Sequence, residues 1–139
     1  MSTLITGISE LRTVSELGTI KDAALLIDDG VVAWAGPADE APAEASNAET
    51  VDVGNRAVLP GWVDSHTHMV FDGDRSAEFE ARISGGSYEA GGIAVTMDAT
   101  RQAGTDRLDK LVADRVAAGR RGGTTTFETK TGYGLNTES

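Results

Sequence analysis

The sequence predicts an α/β protein in which a β-rich first part leads into a strand–helix–strand unit. Three observations carry this. Two apolar runs, Ala24–Ile27 and Val31–Ala35, flank Asp28-Asp29-Gly30, and an Asp-Gly pair between such runs is a strong hairpin signal. The hydrophobic period changes after His68, from strand-like runs to helical spacing. Finally, a helical pattern ends at Gly122-Gly123 and is followed at once by the β-branched and aromatic stretch Thr124–Thr129.

Taken in order, residues 3–36 read as short strands, with Gly36-Pro37 closing the second arm of the hairpin. Residues 37–50 are polar and rich in alanine and acids, which suits a solvated loop with one helical turn. Val51–Val53 and Ala57–Leu59 then lead into an extended segment from Leu59 to Met69. Ser76–Ser84 suits a short helix, with Ser76 as N-cap and Phe79 and Ile83 four apart on one face. Gly85-Gly86 and Gly91-Gly92 bracket a loop that holds Tyr88, and Ile93–Ala103 is a second helix. Thr105–Arg121 gives the clearest helical signal. Thr105 is its expected cap, Leu108, Leu111, Val112 and Val116 form one stripe, and Arg120-Arg121 suit its negative end. A strand, a long crossover and another strand imply parallel pairing.

Composition narrows the function. Hydrophobic residues make up 40% of the chain, enough for a real core, and no apolar run approaches the roughly 20 residues that cross a bilayer. The start, Met1–Thr6, lacks a basic segment and a long apolar run, so no secretory signal is expected and the cytoplasm is the default location. Twenty-two acids against 12 bases give a net charge of −10, which argues against nucleic acid or an anionic membrane as partner. With no cysteine, metal ligands are restricted to His, Asp and Glu.

The whole imidazole content of the chain is His66 and His68. On an extended segment residues i and i+2 share a face, so both rings point the same way. Two neutral imidazoles at a strand end can grip one metal ion, and an ion in an open site can activate water. Two histidines in a surface loop would be the uneventful alternative. Asp64 shares their face and could orient an imidazole from behind. Arg75, in the loop beyond, carries a planar guanidinium suited to a carboxylate, although Asp72, Asp74 and Glu78 around it also suit a solvated ion pair. Tyr88 and Tyr133, the only tyrosines, sit in glycine-rich loops, where each could stack on a flat ring or pack on its own scaffold. Glu128 and Lys130 suit a buried structural ion pair as well as any catalytic role, and are not counted as catalytic.

The stretch Pro60-Gly61-Trp62-Val63-Asp64-Ser65-His66-Thr67-His68 resembles the first-strand metal motif of the amidohydrolase superfamily. Beyond it come Val70–Arg75, Glu78-Phe79, Gly86–Tyr88, Gly91–Ile93 and Thr124–Leu135 with its Lys130-Thr131-Gly132-Tyr133-Gly134 core. That ordered set resembles the imidazolonepropionase family, from about Leu4 to the end and most specifically between Leu59 and Leu135. The resemblance implies a (β/α)8 barrel of amidohydrolase type, preceded by strands of a small β-sandwich domain. Residues 1–57 would belong to the small composite domain and residues 58–139 to the first β/α units of the barrel. Such a barrel needs about 250 residues, so the expectation is the amino-terminal portion of a longer enzyme.

The activity implied is hydrolytic opening of 4-imidazolone-5-propanoate to N-formimidoyl-L-glutamate in histidine degradation. The resemblance assigns His66 and His68 to a metal ion, zinc or iron, and Arg75, Tyr88 and Tyr133 to substrate. No acid/base residue is assigned within this chain; it and the remaining ligands would come from later strands. The partner implied is the small-molecule substrate, with homodimerisation of the full-length enzyme an option. Tyr88–Gly91 is shorter than the corresponding stretch of many members. Two other readings stay open: another cyclic-amide amidohydrolase, dihydroorotase-like or hydantoinase-like, and a catalytically silent fragment.

Overall fold

The computed structural model of the chain describes residues 1–85 and 92–134. It is a mixed α/β structure of two compact units, Met1–Pro60 and Gly61–Ser139.

The first unit is a four-stranded sheet made of β1 (Ser2–Arg12), β2 (Thr19–Asp28), β3 (Val31–Pro37) and β4 (Glu49–Val58), in the order β3-β2-β1-β4. The Asp-Gly signal forms the expected hairpin. Asp28 pairs with Val31, leaving Asp29 and Gly30 as a two-residue loop with φ of 47° and 80°. Both positive angles match the twist of the flanking strands. Between β3 and β4 the chain makes two short 3-10 turns, Ala38–Glu40 and Ala43–Asn47, and buries Ala45 of the second.

β4 joins the sheet by pairing parallel to β1, and the register of this pairing shifts twice, between Thr6 and Ile8 and between Ile8 and Glu10. Thr6 faces Asp52 and Ile8 faces Arg56, so β4 carries two extra residues there. Gly54 and Asn55 absorb them at φ 66° and 61°, opposite Gly7 at φ 66°. The Asp52 carboxylate accepts the Gly54 N–H at 2.8 Å, and a Cβ on Gly7 would strike that carboxylate. Val51–Val53 and Ala57–Leu59, two pieces by sequence pattern, therefore belong to one bulged strand that ends at Val58. Ile8, Leu11 and Ala23 centre the core, with Ile5, Ile20, Leu25, Ala35, Val53 and Val58 packed around them.

The second unit holds β5 (Trp62–Thr67), α1 (Ser76–Ile83), α2 (Ile93–Gln102), α3 (Thr105–Arg121) and β6 (Thr124–Thr129). β5 and β6 pair in parallel, as the long crossover implied. Helix α3 approaches β6 where Gly119 leaves room for the Phe127 ring; a Cβ there would come within 2.5 Å of that ring. The helix starts differ from the sequence expectation by one residue. Gly104, not Thr105, caps α3, and Arg75, not Ser76, caps α1. At α1 the capping work falls to Asp74, whose carboxylate accepts the Ser76 N–H at 2.8 Å and its hydroxyl. Those bonds hold the Asp74 carboxyl below its ordinary range. Among the described residues no helix is long and apolar enough to cross a membrane.

Candidate functional site

Parallel pairing brings the carboxyl ends of β5 and β6 side by side. The Lys130 N–H donates to Thr67 O at 2.9 Å, the Thr67 hydroxyl to Glu128 O at 2.9 Å, and the Met69 N–H to the Thr129 hydroxyl at 3.2 Å. The segment after His68 and the loop Thr131–Gly134 therefore leave their strands as neighbours.

His66 lies exposed within β5, and His68 is half-buried one residue past its end. Their ring centroids are 5.3 Å apart, with planes at 76°. Metal–nitrogen bonds of about 2.0–2.1 Å place an ion about 3.2 Å from each imidazole centroid, so rings at a tetrahedral angle would be about 5.2 Å apart. The observed pair fits that spacing. His68 Nδ1 is also buried without a hydrogen-bond partner, and it faces Gly132, where a Cβ would come within 2.5 Å of it. Only a residue without a side chain lets the loop lie so close against the imidazole. Among the described residues no cluster of three or more metal-binding side chains forms.

Tyr133 links this pair to a cavity. Its ring centroid stands 5.4 Å from that of His68 and 5.3 Å from that of Phe71. Phe71, Arg75, Phe79, Arg82, Thr96 and Tyr133 line a cavity of about 490 Å³, within the range of small-molecule sites. Arg75 is engaged by Glu78, which accepts from Nε at 3.1 Å and from Nη2 at 2.9 Å. Tyr88 lies outside the described residues. Asp64 uses its carboxylate on the His66 backbone N–H at 3.3 Å. Glu128 and Lys130 form an ion pair at 2.5 Å.

Sequence reading passed over the residues that hold the loop between His68 and Arg75. Asp72 pairs with Arg107 of α3, and the Asp72 N–H donates to the Thr100 hydroxyl of α2 at 3.1 Å. The Arg107 guanidinium, with help from the Gly73 N–H, lowers the Asp72 pKa from 3.8 to about 2. Arg115, one helical turn from Leu111, donates from Nη1 to the carbonyls of Met69 and Phe71 at 2.7 Å each. Its guanidinium carbon lies 3.6 Å from the Phe71 ring centroid, a cation–π contact. Burial pulls the Arg115 pKa down, and the nearby Asp72 charge opposes that. The one available signal was an arginine set among the apolar positions of α3.

Solved structures first place the fold. The chain superposes on a Xaa-Pro dipeptidase with bound methionine at a TM-score of 0.64 and 16% identity, covering 97% of this chain and 28% of that one. An amidohydrolase matches at 0.62 and 20%, over 91% and 25%. The zinc complex of the atrazine chlorohydrolase TrzN from Arthrobacter aurescens TC1 matches at 0.60 and 20%, over 91% and 28%. The chain thus shares the fold of part of each of these solved structures. In sequence, the chain is similar nearly end to end to the first third of imidazolonepropionases. It is 61% identical to that of Micrococcus luteus over 99% of this chain and 34% of the relative. Against that of Paenarthrobacter aurescens it is 56% identical, over 99% and 33%. The chain therefore spans about a third of the length of the curated relatives it matches. No family model matches the chain.

Proposed function

We propose that the chain is the amino-terminal part of an imidazolonepropionase, a hydrolase that opens 4-imidazolone-5-propanoate to N-formimidoyl-L-glutamate. The observation that carries this reading is the 61% identity over 99% of the chain to a curated imidazolonepropionase. On this reading residues 58–139 are the first β/α units of a (β/α)8 barrel, and residues 1–57 belong to the small composite domain. The protein acts in the cytoplasm on a small-molecule substrate, without nucleic acid or membrane as partner.

His66 and His68 hold one metal ion, zinc or iron, and the 5.3 Å ring separation supports that assignment. When bound, the ion supplies Lewis-acid polarisation and water of lowered pKa. Tyr133, whose ring neighbours His68, offers a flat face to the imidazolone ring and a hydroxyl to its polar edge. Arg75 on the cavity wall receives the propionate carboxylate, and the Glu78 contacts keep its guanidinium plane fixed for that encounter. Tyr88 completes the substrate contacts. The proton-transferring carboxylate and the remaining ligands come from later strands of the full barrel.

Purified full-length protein tests the reading. Loss of imidazolonepropionate with stoichiometric formation of N-formimidoyl-L-glutamate, abolished by chelator, is the expected result. Hydrolysis of dihydroorotate or a hydantoin in its place would favour a different cyclic-amide specificity.

A further inference from the structure

We propose that Arg115 is a positioning residue for the metal and substrate site, fixing His68 and Tyr133 from behind through the segment Met69–Phe71. The inference rests on the proposed metal site. Arg115 comes from the middle of α3, yet the two carbonyls it holds, each at 2.7 Å, flank Val70 directly after His68. Both bonds come from one nitrogen, whose two N–H groups reach the carbonyls on either side of the bend at Val70. The flat guanidinium also covers the Phe71 ring at 3.6 Å, Phe71 meets Tyr133 at 5.3 Å, and Tyr133 meets His68 at 5.4 Å.

His68 is thus constrained from two directions. Its main chain is followed by a segment tied to α3, and its ring lies close to both Tyr133 and the bare backbone of Gly132. A ligand that must keep one rotamer for metal binding gains affinity from such support, because groups behind ligands set their orientation. A lysine could reach a carbonyl but has no planar face for Phe71. Arg107, also on α3, serves as an internal comparison: it ties the same loop down through the Asp72 carboxylate and makes neither carbonyl bond.

The test uses full-length protein stripped of metal, with zinc Kd measured by chelator competition and apo-protein Tm measured alongside. Arg115→Met is expected to raise the zinc Kd about 10- to 100-fold, Arg115→Lys to recover part of that loss, and Arg107→Gln to leave the Kd within about threefold of wild type. A lowered apo Tm with wild-type zinc affinity in Arg115→Met would make Arg115 a helix-docking residue only and overturn the proposal. Where Arg115→Met does not fold, Phe71→Leu decides, since it removes the ring that joins Arg115 to Tyr133; an unchanged zinc Kd there overturns the proposal. Wild-type protein that binds neither zinc nor iron would overturn the metal site and this inference together, whereas tight wild-type binding indifferent to these changes overturns the inference alone.

Discussion

The two units of the chain solve the problem of burial differently. In Met1–Pro60 a small apolar core forms, with Ile8, Leu11, Ala23, Ala24, Leu26 and Ala45 all buried, although Val31 and Val32 of β3 stay exposed. In Gly61–Ser139 the buried side chain among the described residues is a threonine, Thr96, while Trp62 and Val63 of β5 stand 60% and 67% exposed. Parallel strands ordinarily have both faces covered, and β5–β6 leaves apolar residues on view. The first unit is organised by its core. The second is organised by polar ties around a loop, which Arg107, Arg115 and Thr100 hold in place, and its apolar surface suits the further barrel strands proposed above.

The largest effect expected from this contrast is on the proposed chemistry. In full-length protein, His68→Ala should abolish both metal retention and ring opening, measured by metal analysis and substrate loss. An active, metal-replete His68→Ala enzyme would remove the second unit's claim to the site. Next in size is the core of the first unit. Ile8→Ala, at a position 2% exposed, should cost about 2–5 kcal/mol in urea unfolding, while Val63→Ala in the 139-residue chain should stay within about 0.5 kcal/mol. Equal costs would erase the contrast.

A third, intermediate effect concerns the cavity. Arg75→Gln should raise KM by roughly 10- to 100-fold, the size of a lost charge-assisted hydrogen bond, with kcat nearly kept. A fall in kcat at constant KM would instead place Arg75 at the transition state. Smaller again is the hairpin: Gly30→Ala, at φ 80°, should destabilise the first unit by about 1–2 kcal/mol. The smallest effect is the acid response of the loop ties. Asp72 titrates near 2 when folded against an ordinary 3.8, so its stabilising contribution is complete above about pH 4 and is lost as pH falls towards 2. Asp72→Asn should flatten the unfolding profile in that window; an unaltered profile would mean the tie to Arg107 carries no stability.

Sequence reading worked where the rule was local. The Asp29-Gly30 turn, the span of α3 and the strand Thr124–Thr129 follow from residues within one turn or one run. It failed where a partner far along the chain decides. Leu4, Ile5, Ile8 and Leu11 fit no simple alternation because β1 shifts register at Gly7. Gly54-Asn55 looks like a turn and has turn angles, yet pairing with β1 carries the strand through it. At the site, two histidines one residue apart announce themselves, whereas Arg115 reaches a carbonyl 46 positions earlier and Gly132 matters only because His68 lies against it. The caps at Ser76 and Thr105 were off by one because preceding backbone, with Asp74 beside it at α1, took that role.

The matched irregularity of β1 and β4 has a consequence for threading. Two parallel strands can slide by two residues and keep every side chain on its proper face, so alternation alone does not select one alignment. Here the left-handed Gly7 on one strand meets the Asp52–Gly54 loop on the other, and the two fit only when they lie opposite. They act as notch and tooth, giving strands joined across a long stretch of chain a single way to close.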